Sequence, residues 1–87
     1  MKIVFDTRGW DDYCYWRGQD PKTFERINAL INEIRRTPFT GTGKPEALKY
    51  NLTGFWSRRI TGEHRLVYAV NNDELVIIQA RYHYSKK

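Results

Sequence analysis

Hydrophobic residues recur along the chain first at helical and later at strand-like spacing. The clearest helical segment begins at Asp20 and Pro21, which suit the cap and the first turn of a helix, and ends before Pro38. Its apolar positions lie three or four residues apart, as expected for one buried face. They are Phe24, Ile27, Leu30, Ile31 and Ile34. We therefore predict a long helix over this segment.

A shorter helix is predicted between this segment and an apolar, β-branched first strand near the N-terminus. Trp10, Tyr13 and Cys14 stand at helical spacing, so they define its buried stripe. Asp11 and Asp12 fall between them and should face solvent.

Three strand candidates follow at residues 55–60, 66–70 and 75–82, and short polar turns separate them. Short connections favour antiparallel pairing, because a parallel neighbour needs a long crossover. We therefore predict an α+β fold of order βααβββ, in which an antiparallel sheet packs on two N-terminal helices. A chain of 87 residues suffices for one core, so residues 1–87 are expected to form a single domain.

Alternation along the last strand sorts its side chains into two faces. We expect the more evenly apolar set to lie under the helices, namely Val76, Ile78, Ala80 and Tyr82. The other face then carries Leu75, Ile77, Gln79, Arg81 and His83. Arg65, on the preceding strand, shares the side of His83 only if the turn after Asn71 has an odd number of residues or the strands contain a bulge.

The formal net charge of +5 favours a polyanionic partner or an acidic protein partner. A single cysteine, Cys14, excludes an intrachain disulfide, and the few Cys and His residues do not suffice for a four-ligand zinc site. No apolar run approaches the roughly 20 residues of a membrane span, and no signal-peptide pattern follows Met1. We therefore expect a cytoplasmic protein that works without a metal or another cofactor.

The glycine-rich segment at residues 37–43 is the place to look for a phosphate-binding loop. It lacks the full GxxxxGK[ST] spacing and does not follow a strand, so a nucleotide site is not expected. The segment is instead predicted to be a linker that delivers Lys44, Glu46 and Lys49 to the sheet.

Glu46, Arg65 and His83 together would suit metal-free cleavage of RNA through its own 2′-hydroxyl. A carboxylate can take the hydroxyl proton and a guanidinium can stabilise the charge that grows on the phosphorane. An imidazole, with a reference pKa of about 6.5, can protonate the leaving 5′ oxygen. Basic residues that could contact phosphates are Lys44, Lys49, Arg58, Arg59 and Arg81. Aromatic residues that could stack on a base are Trp56, Tyr82 and Tyr84.

The same residue types are common in proteins that catalyse nothing. A glutamate after a proline is usually a solvated loop residue, and paired arginines or a terminal histidine are more often surface charge. Taken alone, these residues favour a non-catalytic RNA-binding or protein-binding module over a nuclease.

Several motifs that occur in order and at matching spacing point to a family. The chain closely resembles the YoeB/Txe toxins of the RelE/ParE superfamily in the stretch KPEALKYNLTGFWSRRITGEHRLVYAV and in the terminal RYHY. The earlier WDDYCYW and RRTPFTGTGKPE resemble the same family. The resemblance extends over nearly the whole chain, from Met1 to Tyr84.

The resemblance implies the toxin of a type II toxin–antitoxin system. Such a toxin is a ribosome-dependent endoribonuclease with a RelE-like microbial RNase fold, which cleaves mRNA in the ribosomal A site. The partners implied are a YefM-like antitoxin, ribosomal RNA and mRNA, with a homodimer left open. The expected product is a 2′,3′-cyclic phosphate or the 3′-phosphate formed when it opens.

The resemblance also implies roles for individual residues. On matching positions, Glu46 would be the general base, Arg65 the phosphate stabiliser and His83 the general acid. Tyr84 would assist at the scissile phosphate. The contacts to the phosphate backbone that it implies are Lys49 and Arg59.

Three features depart from the family pattern. Ala47 stands where many relatives have proline, Tyr50 stands where a histidine is common, and residues 85–87 extend past the tyrosine at which relatives often end. None of them removes a proposed catalytic group. The alternative to a nuclease is a toxin of the same fold that binds a protein target such as DNA gyrase, but such a toxin would not need the glutamate, the arginine and the histidine together.

Overall fold

A computed structural model of the chain describes residues 1–83 and has the α+β fold predicted from the sequence. Within these residues, two helices lie against one face of a five-stranded sheet. The elements are β1 (Lys2–Phe5), α1 (Thr7–Gln19), α2 (Pro21–Ile34), β2 (Glu46–Ala47), a 3-10 turn (Tyr50–Leu52), β3 (Trp56–Arg59), β4 (Arg65–Asn71) and β5 (Glu74–Gln79). No helix in this part of the chain is long and apolar enough to cross a membrane.

The sheet is mixed, with the strand order β1-β5-β4-β3-β2. β3, β4 and β5 form the predicted antiparallel meander. β1 instead pairs in parallel with β5, which is possible because both helices lie between them along the chain. The two-residue β2, which the sequence did not predict, adds to β3 at the other edge and begins with Glu46.

The core fills the space between the helices and the sheet. Its buried side chains include Ile27, Leu30 and Ile34 from α2, Leu66 and Tyr68 from β4, and Leu75 and Ile77 from β5. The cap predicted for α2 is present, since the Asp20 side chain accepts hydrogen bonds from the backbone N–H groups of Lys22 and Thr23. The helical spacing therefore identified the buried face of α2 correctly.

The buried face of α1 differs from the prediction. Trp10 is 50 % exposed, whereas Asp12 is buried. Asp12 Oδ2 accepts a hydrogen bond from the backbone N–H of Ala80 at 3.0 Å, and Trp16 Nε1 donates to the carbonyl of Ala80 at 2.7 Å. Asp12 is buried because it satisfies a backbone donor just beyond the end of β5.

The first half of β5 presents the face opposite to the one predicted. Leu75 and Ile77 are fully buried in the core, whereas Val76 and Ile78 are only partly buried. Both sets are apolar, so hydrophobicity alone did not distinguish them. Ala80 nevertheless lies in the core, as predicted. The alternation of faces is therefore interrupted before Ala80.

A β-bulge causes this interruption. Tyr68 of β4 lies opposite Ile77, but the residue before it, Val67, lies opposite Gln79. Ile78 is therefore the extra residue on the β5 side of the pair. Beyond the bulge, Gln79 shares the face of Val67, away from the helices.

The bulge also decides whether Arg65 and His83 share a face. The turn after Asn71 contains two residues, Asn72 and Asp73, and both have the positive φ of tight hairpin turns. Such an even turn alone would place Arg65 and His83 on opposite faces. The bulge was the other route that the sequence left open, and both side chains line one pocket.

Candidate active site

A pocket of about 350 Å³ lies on the face of the sheet that the helices leave uncovered. It is lined by Lys44, Pro45, Glu46, Ser57, Arg59, Arg65 and His83. The strand register explains this set, because residues opposite each other in neighbouring strands point to the same face. Glu46 lies opposite Ser57, and Arg59 lies opposite Arg65.

Arg65 is a buried cation that the neighbouring turn holds in place. It is 7 % exposed, and its Nη1 donates to the carbonyls of Thr61, Gly62 and His64 at 3.0, 3.2 and 3.1 Å. The turn that precedes β4 thus fixes the first side chain of that strand. A guanidinium held in this way is preorganised to stabilise negative charge beside it.

Glu46 enters the pocket from the edge of the sheet. The chain reaches it through the loop after α2, where the carbonyl of Gly43 accepts a hydrogen bond from the backbone N–H of Arg59 at 2.7 Å. Lys44 then takes a left-handed conformation with a φ of 53°, and the next residues form the short pairing of β2 with β3. This bond and this pairing together direct Lys44 and Glu46 into the pocket.

His83 follows β5 in a segment that side chains hold at several points. Gln79 Nε2 donates to the carbonyls of Arg81, Tyr82 and His83 at 2.8, 3.2 and 3.0 Å. The backbone N–H of Tyr82 donates to His64 Nδ1 at 2.8 Å, and Tyr82 has a φ of 65°. These bonds turn the chain so that His83 lines the pocket.

Five of the residues singled out in the sequence therefore meet at one pocket: Lys44, Glu46, Arg59, Arg65 and His83. Lys49 and Arg81 do not line it. The guanidinium of Arg81 instead lies over the ring of Tyr15, 3.5 Å from its centroid. Tyr84 lies outside the residues that the structure describes.

Two further suggestions from the sequence are wrong. Arg58 is not a surface contact for phosphate, because its side chain is fully buried on the helix side of the sheet and pairs with Glu33. Trp56 is not placed to stack on a base at the pocket, because it packs against Phe39 and the core. Alternation explains both errors, since residues 56 and 58 face the helices whereas residues 57 and 59 face the pocket.

The structure adds Ser57 and Pro45 to the pocket, which the sequence did not single out. Ser57 is 3 % exposed and lies two residues before Arg59 on the same strand. Period-two alternation from Arg59 could have identified it. Nothing in the sequence distinguishes Pro45 beyond its place beside Glu46.

The pocket combines a cationic surround with one carboxylate and one imidazole. Lys44, Arg59 and Arg65 carry positive charge, which suits a phosphate group. Glu46 and His83 supply a group that can accept a proton and a group that can donate one. Among the described residues, no group of three His, Cys, Asp or Glu side chains could hold a metal ion.

The fold and the pocket together define a small α+β protein with a cationic pocket on its uncovered sheet face. A family model described as the YoeB-like toxin of bacterial type II toxin-antitoxin systems matches residues 5–84. The chain is 60 % identical to the toxin YoeB of Escherichia coli strain K12 over 84 residues, which are 97 % of this chain and 100 % of the relative. The chain belongs to the YoeB family of toxins of bacterial type II toxin–antitoxin systems.

Solved structures agree with this assignment. A YoeB/ParE toxin from Agrobacterium tumefaciens matches with a TM-score of 0.94 at 51 % identity, covering 97 % of this chain and 100 % of that one. YoeB from Staphylococcus aureus, solved in complex with YefM, matches with a TM-score of 0.89 at 44 % identity, covering 97 % and 98 %. The Staphylococcus aureus toxin has also been solved as a dimer.

Proposed function

We propose that this toxin is a ribosome-dependent endoribonuclease that cleaves mRNA in the ribosomal A site. The observation that carries the proposal is the convergence of Glu46, Arg65 and His83 on one cationic pocket. A protein that only bound RNA would need the cations but not a carboxylate and an imidazole beside them. Membership of the YoeB family supports the same activity.

In the proposed reaction, Glu46 takes the proton of a ribose 2′-hydroxyl, and the 2′ oxygen attacks the adjacent phosphorus. Arg65 stabilises the charge that grows on the phosphorane oxygens, because its Nη1 end is already held by three carbonyls. His83 gives a proton to the 5′ oxygen as its bond to phosphorus breaks. The products are a 2′,3′-cyclic phosphate and a 5′-hydroxyl, and no metal takes part.

The remaining cations of the pocket would bind the RNA backbone. Lys44 and Arg59 line the pocket beside the three reacting residues, so they would contact the scissile phosphate or its neighbours. Lys49 and Arg81 stay as proposed contacts to flanking phosphates, and Tyr84 as an aid at the scissile group. The ribosome would hold the mRNA in place during cleavage. Because ribosomes translate mRNA in the cytoplasm, the toxin would act there.

A YefM-like antitoxin is the proposed inhibitor. The Staphylococcus aureus relative was solved in complex with YefM, which supports a partner of this kind. An acidic segment that folds onto the basic face would cover the pocket and neutralise its cations. A homodimer is proposed on the precedent of the dimer of the same relative.

The proposal is tested by Glu46→Gln and His83→Gln, which remove the base and the acid with little change in shape. Each should lower the rate of cleavage on ribosomes by about 100-fold or more, as expected for general acid–base groups. Glu63→Gln is the matched control, because Glu63 is an exposed carboxylate outside the pocket. It should cleave like the wild type.

All three variants should still bind the antitoxin, which shows that they are folded. Cleavage by Glu46→Gln or His83→Gln at the wild-type rate would contradict the proposed roles. The comparison is made as rates of product formation on a single defined message.

A further inference from the structure

A buried arginine outside the pocket holds the loop that leads into it. Arg58 is 0 % exposed, and a guanidinium is rarely buried unless its donors are satisfied. Each of its five N–H groups has an acceptor. The acceptors are Tyr68 Oη, Glu33 Oε1 and the carbonyl oxygens of Thr37, Thr40 and Thr42. Three of the five acceptors thus belong to the backbone of one loop, at residues 37–43.

The two side chains that accept hydrogen bonds from Arg58, those of Tyr68 and Glu33, also bind the same loop themselves. Tyr68 Oη donates to the carbonyl of Pro38 at 2.7 Å. The carboxylate of Glu33 accepts from the backbone N–H of Thr42 at 2.7 Å and from its hydroxyl at 3.0 Å. Side chains from α2, β3 and β4 therefore fix a loop that forms neither helix nor strand.

The end of this loop is the entrance to the pocket. Gly43, its last residue, accepts the hydrogen bond from the backbone N–H of Arg59, and Lys44 and Glu46 follow directly. Two adjacent arginines thus act on opposite faces of β3. Arg58 holds the loop from the core side, and Arg59 lines the pocket.

We propose that Arg58 is a positioning residue for the active site, which fixes where Lys44 and Glu46 enter the pocket by holding the loop at residues 37–43. Its effect on cleavage rests on the proposed function. Because a general base must lie within hydrogen-bonding reach of the proton that it removes, a displaced Glu46 lowers the rate of the chemical step more than the affinity for RNA.

The first test keeps Arg58 in the sequence and disturbs the loop that its side chain binds. Gly41 has a φ of 121°, and a Cβ there would lie 2.6 Å from Glu33 Oε1 and 3.2 Å from Arg58 Nη1. In Gly41→Ala, the Glu33 carboxylate or the loop backbone must therefore shift, and the Arg58 guanidinium is crowded, which disturbs their contacts with the loop. Gly54→Ala is the matched control, because Gly54 has a similar φ of 97° but no atom within 4 Å of its Cβ position.

Two measurements are made on both variants. Amide hydrogen exchange reports on the loop through the N–H groups of Thr42 and Arg59, which bond to Glu33 and Gly43. Gly41→Ala should speed exchange at both amides and lower kcat for cleavage by about 10- to 100-fold with KM changed less than about threefold. Gly54→Ala should do neither.

Arg58→Lys tests the guanidinium itself. Lysine keeps the positive charge beside Glu33, but its three donors on one nitrogen cannot span the acceptors that the planar fork reaches. It should reproduce the faster exchange and the lower kcat of Gly41→Ala, whereas exchange in β4 and β5 stays slow in a folded sample. Wild-type exchange and wild-type kcat in Arg58→Lys would overturn the proposal.

The outcomes separate this inference from the proposed function. Faster exchange at Thr42 and Arg59 with an unchanged kcat would show that the loop does not position Glu46, and unchanged exchange in Gly41→Ala would show that these contacts do not hold the loop. Either result overturns the inference. If the wild type cleaves no RNA, the proposed function fails, and the exchange at these two amides still decides whether Arg58 and Glu33 fix the loop.

Discussion

The ionisation of Glu33 links the contacts that hold the loop at residues 37–43 to the stability of the folded protein. Hydrogen bonds from the backbone and the hydroxyl of Thr42, with a smaller contribution from Arg58, hold the pKa of Glu33 below its ordinary value of 4.5. The folded state therefore binds a proton at Glu33 less readily than the unfolded state does. This stabilisation is fully present above the unfolded pKa and is lost as the pH falls through the lower, folded pKa.

Glu33→Gln should therefore flatten the acid side of the stability profile. The variant should be less stable than the wild type at neutral pH, because Arg58 loses its charged partner, and should lose less stability as the pH falls below about 4.5. Thr42→Val, which removes only the hydroxyl donor, should lie between the two. Urea unfolding at several pH values from neutral to acid measures this. An unchanged acid slope in Glu33→Gln would contradict it.

Some acid sensitivity should persist in Glu33→Gln. The pKa of Asp20, the cap of α2, is lowered as well, because its carboxylate accepts hydrogen bonds from the side chain and the backbone of Thr23. Protonation of Asp20 weakens the cap of α2 by the same reasoning, so the slope is reduced rather than abolished.

Residue types and spacing predicted the ionisable groups of the pocket but not the role of Arg58. Glu46, Arg65 and His83 were identified by the chemistry that their side chains could perform together. Arg58 and Arg59 look alike in the sequence, and which of them faces the helices depends on a strand register that no local pattern reveals. Burial of the first and exposure of the second became visible only in the folded sheet.

At the scale of elements, α1 fixes the segment that carries His83. Asp12 and Trp16 bind the backbone N–H and the carbonyl of Ala80, one residue beyond β5. The helix thus binds both the N–H and the carbonyl of Ala80, which precedes the segment that lines the pocket. His64 and Gln79 then hold the segment after it.

Asp12→Ala and Asp11→Ala form a matched pair of neighbouring substitutions on α1. Asp12→Ala leaves the buried N–H of Ala80 without its acceptor, which should lower the free energy of unfolding by about 1–3 kcal/mol. Asp11 is exposed, so Asp11→Ala should change it by no more than about 0.5 kcal/mol. Chemical unfolding of both variants measures the difference, and equal stabilities would show that the Asp12 bond contributes nothing.

Helical spacing located both helices, although α1 buries a different stripe from the one predicted, and runs between polar turns located all three strands of the meander. No pattern in the sequence indicates the bulge at Ile78. A run of apolar residues from Leu75 to Ile78 fits either face, so only packing against the helices selects the one that is buried. From the sequence we could infer that a bulge would bring Arg65 and His83 together, but not that the bulge is present.

At the scale of the whole molecule, the sheet separates the hydrophobic core from the candidate active site. The helices cover one face and enclose the core, and the pocket occupies the other face. The α+β class followed from the order of elements in the sequence. The parallel pairing of β1 with β5 did not, because contacts between distant segments leave no local pattern, and β2 is too short to give a strand signal. The net charge of +5 is consistent with RNA or an acidic segment as partner.

The most direct measurement is to incubate the purified toxin with one defined mRNA, once free and once engaged on translating ribosomes, and to map the new ends. We expect cuts only on ribosomes and only at codons in the A site, with a 2′,3′-cyclic phosphate upstream and a 5′-hydroxyl downstream. Intact message on ribosomes, from a sample that folds and binds its antitoxin, would contradict the nuclease and favour a toxin that binds a protein target such as DNA gyrase. Equal cutting of the free message would contradict dependence on the ribosome.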